Sequence, residues 1–206
     1  MVSAALLFSG GKDSSLVAHL LGMLGYDITL ITANFGLVPD APKTAADAAK
    51  LLNLPHEVIE MPSEHVGRAV DIAKEDGYVL NGINHMHEEV VKAAAEKYGK
   101  DCPMIADGTR RDDRTPKLSY EFIRSTEDKY NIEYFAPLNG ISYKTINYLT
   151  QKLFKTENIR AGAKPTSEYE TEIREELRRR GEGALAEKIF PREHYHSIVI
   201  EYNGKE

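Results

Sequence analysis

Residues 3–15 read Ser3-Ala4-Ala5-Leu6-Leu7-Phe8-Ser9-Gly10-Gly11-Lys12-Asp13-Ser14-Ser15. The apolar run Ala4–Phe8 predicts a buried strand, and the periodicity that follows predicts a helix over Asp13–Leu24. Gly10 and Gly11 carry no Cβ, so the chain can turn sharply between the two and a ligand can come close. A helix start carries amides with no internal partner, and its dipole adds positive potential there. Ser9, Ser14 and Ser15 contribute hydroxyls and Lys12 a charge. Together they make a cradle for a phosphate-like anion. A turn that only joined a strand to a helix would have no use for the lysine and the aspartate.

Outward from this turn, apolar runs alternate with helical patterns. Strands are predicted at Ala4–Phe8, Ile28–Ala33, Glu57–Met61, Met104–Ala106 and Ile132–Ala136. Helices are predicted at Asp13–Leu24, Thr44–Leu52, His65–Asp76, Ile83–Tyr98, Tyr120–Tyr130 and Lys144–Phe154. That rhythm implies a parallel sheet covered on both faces. Pro39 with Pro42, Asn81-Gly82 and Lys100-Asp101 read as turns. Beyond Lys155 the pattern changes. Residues 161–165 read as a loop, Ser167–Arg180 as a charged helix, Ala184–Ile189 as a helical turn and Tyr195–Tyr202 as a strand that adds to a sheet edge or covers one. The domain reading is 1–160 for the α/β unit and 161–206 for an extension packed on it.

The chain has 206 residues, a net charge of −6 and one cysteine, Cys102. Its composition is that of an ordinary globular domain, with no apolar stretch long enough for a membrane span and no basic leader before Ala4–Phe8. A cytoplasmic setting is expected, and a lone cysteine excludes an internal disulfide. The acidic balance argues against a broad nucleic-acid surface while leaving room for a local patch. Arg110, Arg111 and Arg114 form one basic cluster. Arg174 and Arg178–Arg180 form another, whose interleaved glutamates read as i,i+4 pairs on a solvated helix.

The Gly-rich turn is neither the Walker A string nor the dinucleotide fingerprint. The string SGGKDSS matches every position of SGGxDS[ST], and the chain resembles over most of Ala4–Phe154 the N-type ATP pyrophosphatases. These are the PP-loop or adenine nucleotide alpha hydrolase superfamily, which includes GMP synthetase, NAD synthetase and several tRNA-thiolating enzymes. It is most similar to small stand-alone archaeal PP-loop proteins of the predicted tRNA-thiolation type. The resemblance implies an α/β fold: a doubly wound, mostly parallel five-stranded sheet of order 3-2-1-4-5 with helices on both faces, plus a short C-terminal helix and strand. It also implies cleavage of ATP between the α and β phosphates, adenylation of a nucleotide-like carbonyl and displacement of AMP by a nucleophile.

On that resemblance, Ser9, Gly10, Gly11, Lys12, Asp13, Ser14 and Ser15 hold pyrophosphate. Ala33, Asn34 and Phe35 meet adenine through backbone groups, an assignment that stands beside Phe35 as a plain core residue. The segment Asp107–Asp113 supplies Gly108 and Thr109 to the nucleotide and Arg110 or Arg111 to the transferring phosphoryl group. Mg²⁺, a hard ion that takes carboxylate oxygens, falls to Asp112 or Asp113 with Asp13. The plainer alternative for this segment is a surface loop of self-paired charges. Lys144 at a helix start and Lys164 before Pro165 are further phosphate candidates, while Ser167 with Glu170 has capping-box spacing. The polar stretch Asn81–His85 reads as a loop on the second-substrate side. Zinc on His85 with His87 or on His194 with His196 is the less favoured reading.

The cofactors expected are ATP and Mg²⁺. The partners are ATP, a second nucleotide-like substrate with tRNA as a candidate, and an external sulfur or nitrogen donor, because Cys102 has no companion cysteine. No membrane partner is expected, and a homodimer is compatible with the sequence. Two rivals stand beside this reading: an amide-forming ligase on a small metabolite, and a non-catalytic adenine-nucleotide sensor.

Overall fold

The computed structural model describes residues 2–191 and 193–204. Strands β1 (Ser3–Leu7), β2 (Asp27–Asn34), β3 (His56–Glu60), β4 (Met104–Ala106) and β5 (Glu133–Phe135) form one sheet in the order β3-β2-β1-β4-β5. Every neighbouring pair is parallel. Central β1 is apolar at both parities because both of its faces are buried. Ala4 and Leu6 pack into one core, with α1 (Lys12–Met23), α2 (Lys43–Leu52) and α6 (Tyr143–Leu153). Ala5 and Leu7 pack into the other, with α3 (Glu64–Asp76) and α4 (Leu80–Tyr98). Helix α5 (Tyr120–Tyr130) precedes β5 at the sheet edge. Among the described residues no helix is long and apolar enough to cross a membrane.

Asn81-Gly82 is not a turn. Both residues lie in the first turn of α4, and the reversal comes earlier, at Gly77 with φ +69°. Glycine at 82 serves helix packing instead. A Cβ placed there would sit 2.5 Å from the backbone oxygen of Ala69 on α3.

The C-terminal region departs furthest from expectation. Helix α6 stops at Leu153, and Phe154–Arg160 forms a strand, β6, that the sequence pattern did not reveal. It pairs antiparallel with β7 (Tyr195–Tyr202) in a separate two-stranded sheet, with a register shift between Lys155 and Thr156. Phe154 and Ile159 are five residues apart and would face opposite ways in a regular strand. Both are nevertheless buried, and the register shift leaves Ile200 of β7 as the extra, unpaired residue.

Strand β7 neither extends nor caps an edge of the main sheet. It lies across the glycine turn, where Ile198 bridges Gly11 and the Val199 amide donates to the Gly10 carbonyl at 3.1 Å. Two further helices, α7 (Tyr169–Arg179) and α8 (Gly183–Ile189), complete the chain. Ser167 does not cap α7, whose N-cap residue is Glu168. Its hydroxyl donates to the Ala41 carbonyl (2.7 Å) and accepts from the Ala45 amide (3.2 Å), which ties the segment before α7 to the start of α2.

The crossing of α3 and α4 gives a direct test. Gly82→Ala adds a methyl where only backbone oxygen can yield, and overpacking of this kind costs about 1–3 kcal/mol. Urea unfolding should show a lower midpoint with unchanged slope; a midpoint equal to that of the parent chain would contradict the assigned close approach.

Candidate active site

A cleft of about 540 Å³ opens at the carboxyl end of β1, the end at which open parallel sheets bind ligands. Ser9, Gly11, Lys12, Asp13 and Ser14 line one side of it. Helix α1 begins at Gly11 with no side-chain cap, so its first amides have no partner within the helix. Gly10, at φ +77°, is fixed as glycine by the neighbouring helix: a Cβ would lie 2.9 Å from the Thr44 carbonyl oxygen and 3.0 Å from Ala45 Cα. The cradle is therefore set by backbone packed on backbone.

Charge gathers beside it. Lys12 Nζ meets Asp13 Oδ1 at 2.7 Å, and Arg110 Nη1 lies 3.5 Å from Asp13 Oδ2. Arg110 also donates through Nε (2.9 Å) and Nη2 (2.5 Å) to Asp113 Oδ1, and its amide donates to Asp113 Oδ2 at 2.8 Å. Asp13 and Asp113 thus flank one guanidinium on the cleft wall. The Arg110 guanidinium stands 5.6 Å from the ring centre of Tyr143, which is half exposed at the cleft mouth. Lys117 braces the loop from behind, donating to the carbonyls of Arg110 (3.0 Å) and Arg111 (2.8 Å).

Other expected residues stand elsewhere. Arg111, Asp112 and Lys144 are exposed and do not line the cleft. Lys164 is also outside it and pairs with Glu157 at 3.3 Å. Ala33 lines the cleft, whereas Phe35 is buried in the core edge-on to Tyr169, and Asn34 spends its side chain on Glu60 and the Gly36 amide. Gly108 borders the cleft, but its missing Cβ admits protein: a Cβ would be 2.8 Å from the Ser14 amide nitrogen. Ser15 is fully buried behind the turn. Asn81–His85 is not a loop, and Asn84 Oδ1 instead accepts from the Lys117 amide (2.7 Å) and the Thr115 hydroxyl (2.9 Å).

The floor of the cleft is a buried polar network that sequence reasoning did not find. Asp107, 2% exposed, immediately follows β4. Its Oδ2 accepts from His87 Nε2 (2.7 Å), the Tyr134 hydroxyl (2.5 Å) and the Thr109 hydroxyl (2.9 Å), and its Oδ1 from the Thr109 amide (2.9 Å). His87 Nδ1 faces the Tyr169 hydroxyl at 3.0 Å. Burial by itself would raise the Asp107 carboxyl; His87 and the other donors outweigh it and hold it below the usual carboxylate range. Burial, then the Asp107 charge, pushes the Tyr134 and Tyr169 phenols far above theirs. One signal was available in the sequence. His87 falls on the buried stripe Met86, Val90, Val91 and Ala94 of α4, where an imidazole needs partners.

The C-terminal region completes the lining: Glu168, Tyr169 and Glu170 from the start of α7, and His194–Ser197 from the start of β7. Glu170 is buried and accepts from Arg174 Nε and His194 Nδ1, each at 2.7 Å.

The chain belongs to a family described as a family of unknown function (DUF7411), whose model matches residues 2–201. An uncharacterized protein of Methanocaldococcus jannaschii is 44% identical over 200 residues, covering 97% of this chain and 96% of that protein. A crystal structure from the same organism, titled a predicted subunit of tRNA methyltransferase, is 42% identical with a TM-score of 0.90, and all of each chain is covered. A 4-thiouridine synthetase solved with RNA and bound ATP shares the fold alone, at 15% identity and a TM-score of 0.53. The alignment covers 96% of this chain and 55% of the synthetase.

Removing His87 takes one of four donors from the buried Asp107 carboxylate, and losing such a hydrogen bond costs about 1–3 kcal/mol. His87→Leu should lose that much stability by urea unfolding at pH 7. The Asp107 carboxyl titrates lower in the folded chain than in the unfolded one. Its contribution is therefore complete above about pH 4 and is lost as the pH falls through the lower folded value. The gap between parent and variant should narrow in acid; a gap independent of pH would show that the Asp107 charge is not its source.

Proposed function

We propose that the chain is an N-type ATP pyrophosphatase: it binds ATP with its phosphates in the SGGKDSS turn, transfers AMP to an acceptor oxygen and releases pyrophosphate. The observation that carries this reading is the convergence of Lys12, Asp13, Arg110 and Asp113 beside an uncapped helix start at the carboxyl end of the central strand. Lys12 and Arg110 are placed to neutralise charge on the triphosphate as the α–β bond breaks. The amides of the turn fix the leaving pyrophosphate, so positioning and electrostatics do the chemical work. Ala33, at the end of β2, borders the space left for adenine.

Mg²⁺ fits the carboxylates of Asp13 and Asp113. Both are partly buried, both border the cleft and both point at Arg110. Those two carboxylates would hold the ion, which would offset negative charge on the phosphates. Asp112, exposed and outside the cleft, is not assigned to the ion.

The setting we favour is tRNA modification. The 42% identical structure is titled a tRNA methyltransferase subunit. Here Arg111 and Arg114 are exposed on the loop that forms one rim of the cleft, and offer local cations for a phosphate backbone despite the acidic whole.

Pyrophosphate release from ATP and Mg²⁺, measured with and without unmodified tRNA, tests both parts. Turnover dependent on tRNA is expected. Asp13→Ala and Lys12→Ala should each lower it about 100-fold or more, the usual loss when one electrostatic stabiliser is removed. Release of phosphate in place of pyrophosphate would overturn the reaction class. Turnover indifferent to tRNA would return the acceptor to small metabolites.

A further inference from the structure

We propose that Glu170, His194 and His196 form a binding site for a divalent ion of the zinc class, on the part of the cleft lining that the C-terminal region supplies. The site needs no nucleotide and does not rest on the pyrophosphatase reading.

One donor atom from each residue falls within 4.8 Å of the other two. Glu170 Oε2 lies 2.7 Å from His194 Nδ1 and 3.7 Å from His196 Nε2. His194 and His196 are two residues apart on extended chain entering β7, so they share a face, and their ring centres are 4.7 Å apart. The Glu170 carboxylate is divided between two tasks. Arg174 takes Oε1 through Nε (2.7 Å) and Nη2 (2.5 Å), which leaves Oε2 to the imidazoles. Such outer contacts fix the orientation of a metal-binding carboxylate.

Two imidazoles and a carboxylate form the three-residue set with which zinc keeps a fourth position open. Here all three residues border the cleft, so an open position would face it. Imidazole nitrogen selects zinc, copper, nickel or cobalt over magnesium, which prefers oxygen throughout. Two parts of the cleft lining therefore differ in hardness: oxygen donors at Asp13 and Asp113, nitrogen donors here. Glu170 and His196 are buried, while the His194 side chain is 43% exposed and provides an entry path. Among the described residues, Glu170 is the one side chain that either histidine side chain pairs with.

The full chain, stripped with a chelator and dialysed, should take up one Zn²⁺ per molecule in calorimetric titration. One Co²⁺ should bind with the intense visible absorption of a four- or five-coordinate site. A thousandfold excess of Mg²⁺ should displace neither. His194→Ala takes one hydrogen bond from the buried Glu170 carboxylate, so it should lower the melting temperature modestly while leaving the chain folded and abolishing this uptake; the His194→Ala/His196→Ala double variant should lose it as well. Wild-type chain that takes up no ion would overturn the assignment, as would a folded double variant that binds Zn²⁺ with undiminished affinity and stoichiometry.

Discussion

Asp107 imposes the constraint on which the cleft depends. A buried carboxylate costs several kcal/mol unless donors surround it, and here those donors arrive from separate parts of the chain. His87 comes from α4, Tyr134 from β5 and Thr109 from the loop after β4. Through His87 the network reaches Tyr169 on α7. None of these elements can shift without leaving a charge or a hydroxyl unsatisfied in a dry interior. The carboxylate thus seats the C-terminal helix against the sheet and fixes the start of the loop that carries Arg110 and Asp113.

The glycine turn is held by a different means. Gly10 lies against the backbone at the start of α2, Gly108 lies against the first turn of α1, and β7 crosses above with a backbone hydrogen bond to Gly10. Three contacts of main chain on main chain define where the first amides of α1 point. Side-chain rotamers contribute little to that geometry, so the turn keeps its shape before any ligand arrives, as an electrostatic cradle must if it is not to spend binding energy on reorganisation.

The main sheet was legible because its strands are buried on both faces and read as apolar runs between helical stretches. Its order 3-2-1-4-5 followed from the resemblance that SGGKDSS carries. Strand β6 was not legible: Phe154 and Ile159 are its two buried residues, and their spacing of five does not follow the period of two by which a half-buried strand is read. Gly82 misled for a related reason, since a glycine that opens a turn and one that admits a neighbouring helix look alike in sequence. Within the cleft, Lys12 and Asp13 were legible individually, whereas Arg110 was read only as one of a pair with Arg111 and Asp113 only as one of a pair with Asp112. Lys144 and Lys164 were not separable from ordinary surface lysines, and the structure puts both outside. Glu170 and His194 stand 24 residues apart with α8 between them. No local spacing joins them; the fold does, by bringing the start of α7 beside the start of β7.

The charges at the cleft are self-paired, and that bears on how a ligand could enter. Lys12 is engaged by Asp13, and Arg110 by Asp113 and Asp13. In the absence of nucleotide these pairs spare the cleft an uncompensated positive charge. On the proposed reading, a triphosphate competes with the two aspartates for the two cations. The carboxylates it displaces become free for the divalent ion that accompanies ATP. Each partner makes room for the other, so nucleotide and Mg²⁺ would bind with positive coupling, and neither would bind well alone. A chain of net charge −6 can in this way bind a polyanion without a standing basic patch. The exchange needs both aspartates beside one guanidinium, and on the proposed reading Asp113, not its exposed neighbour Asp112, would supply the acidic half of the site.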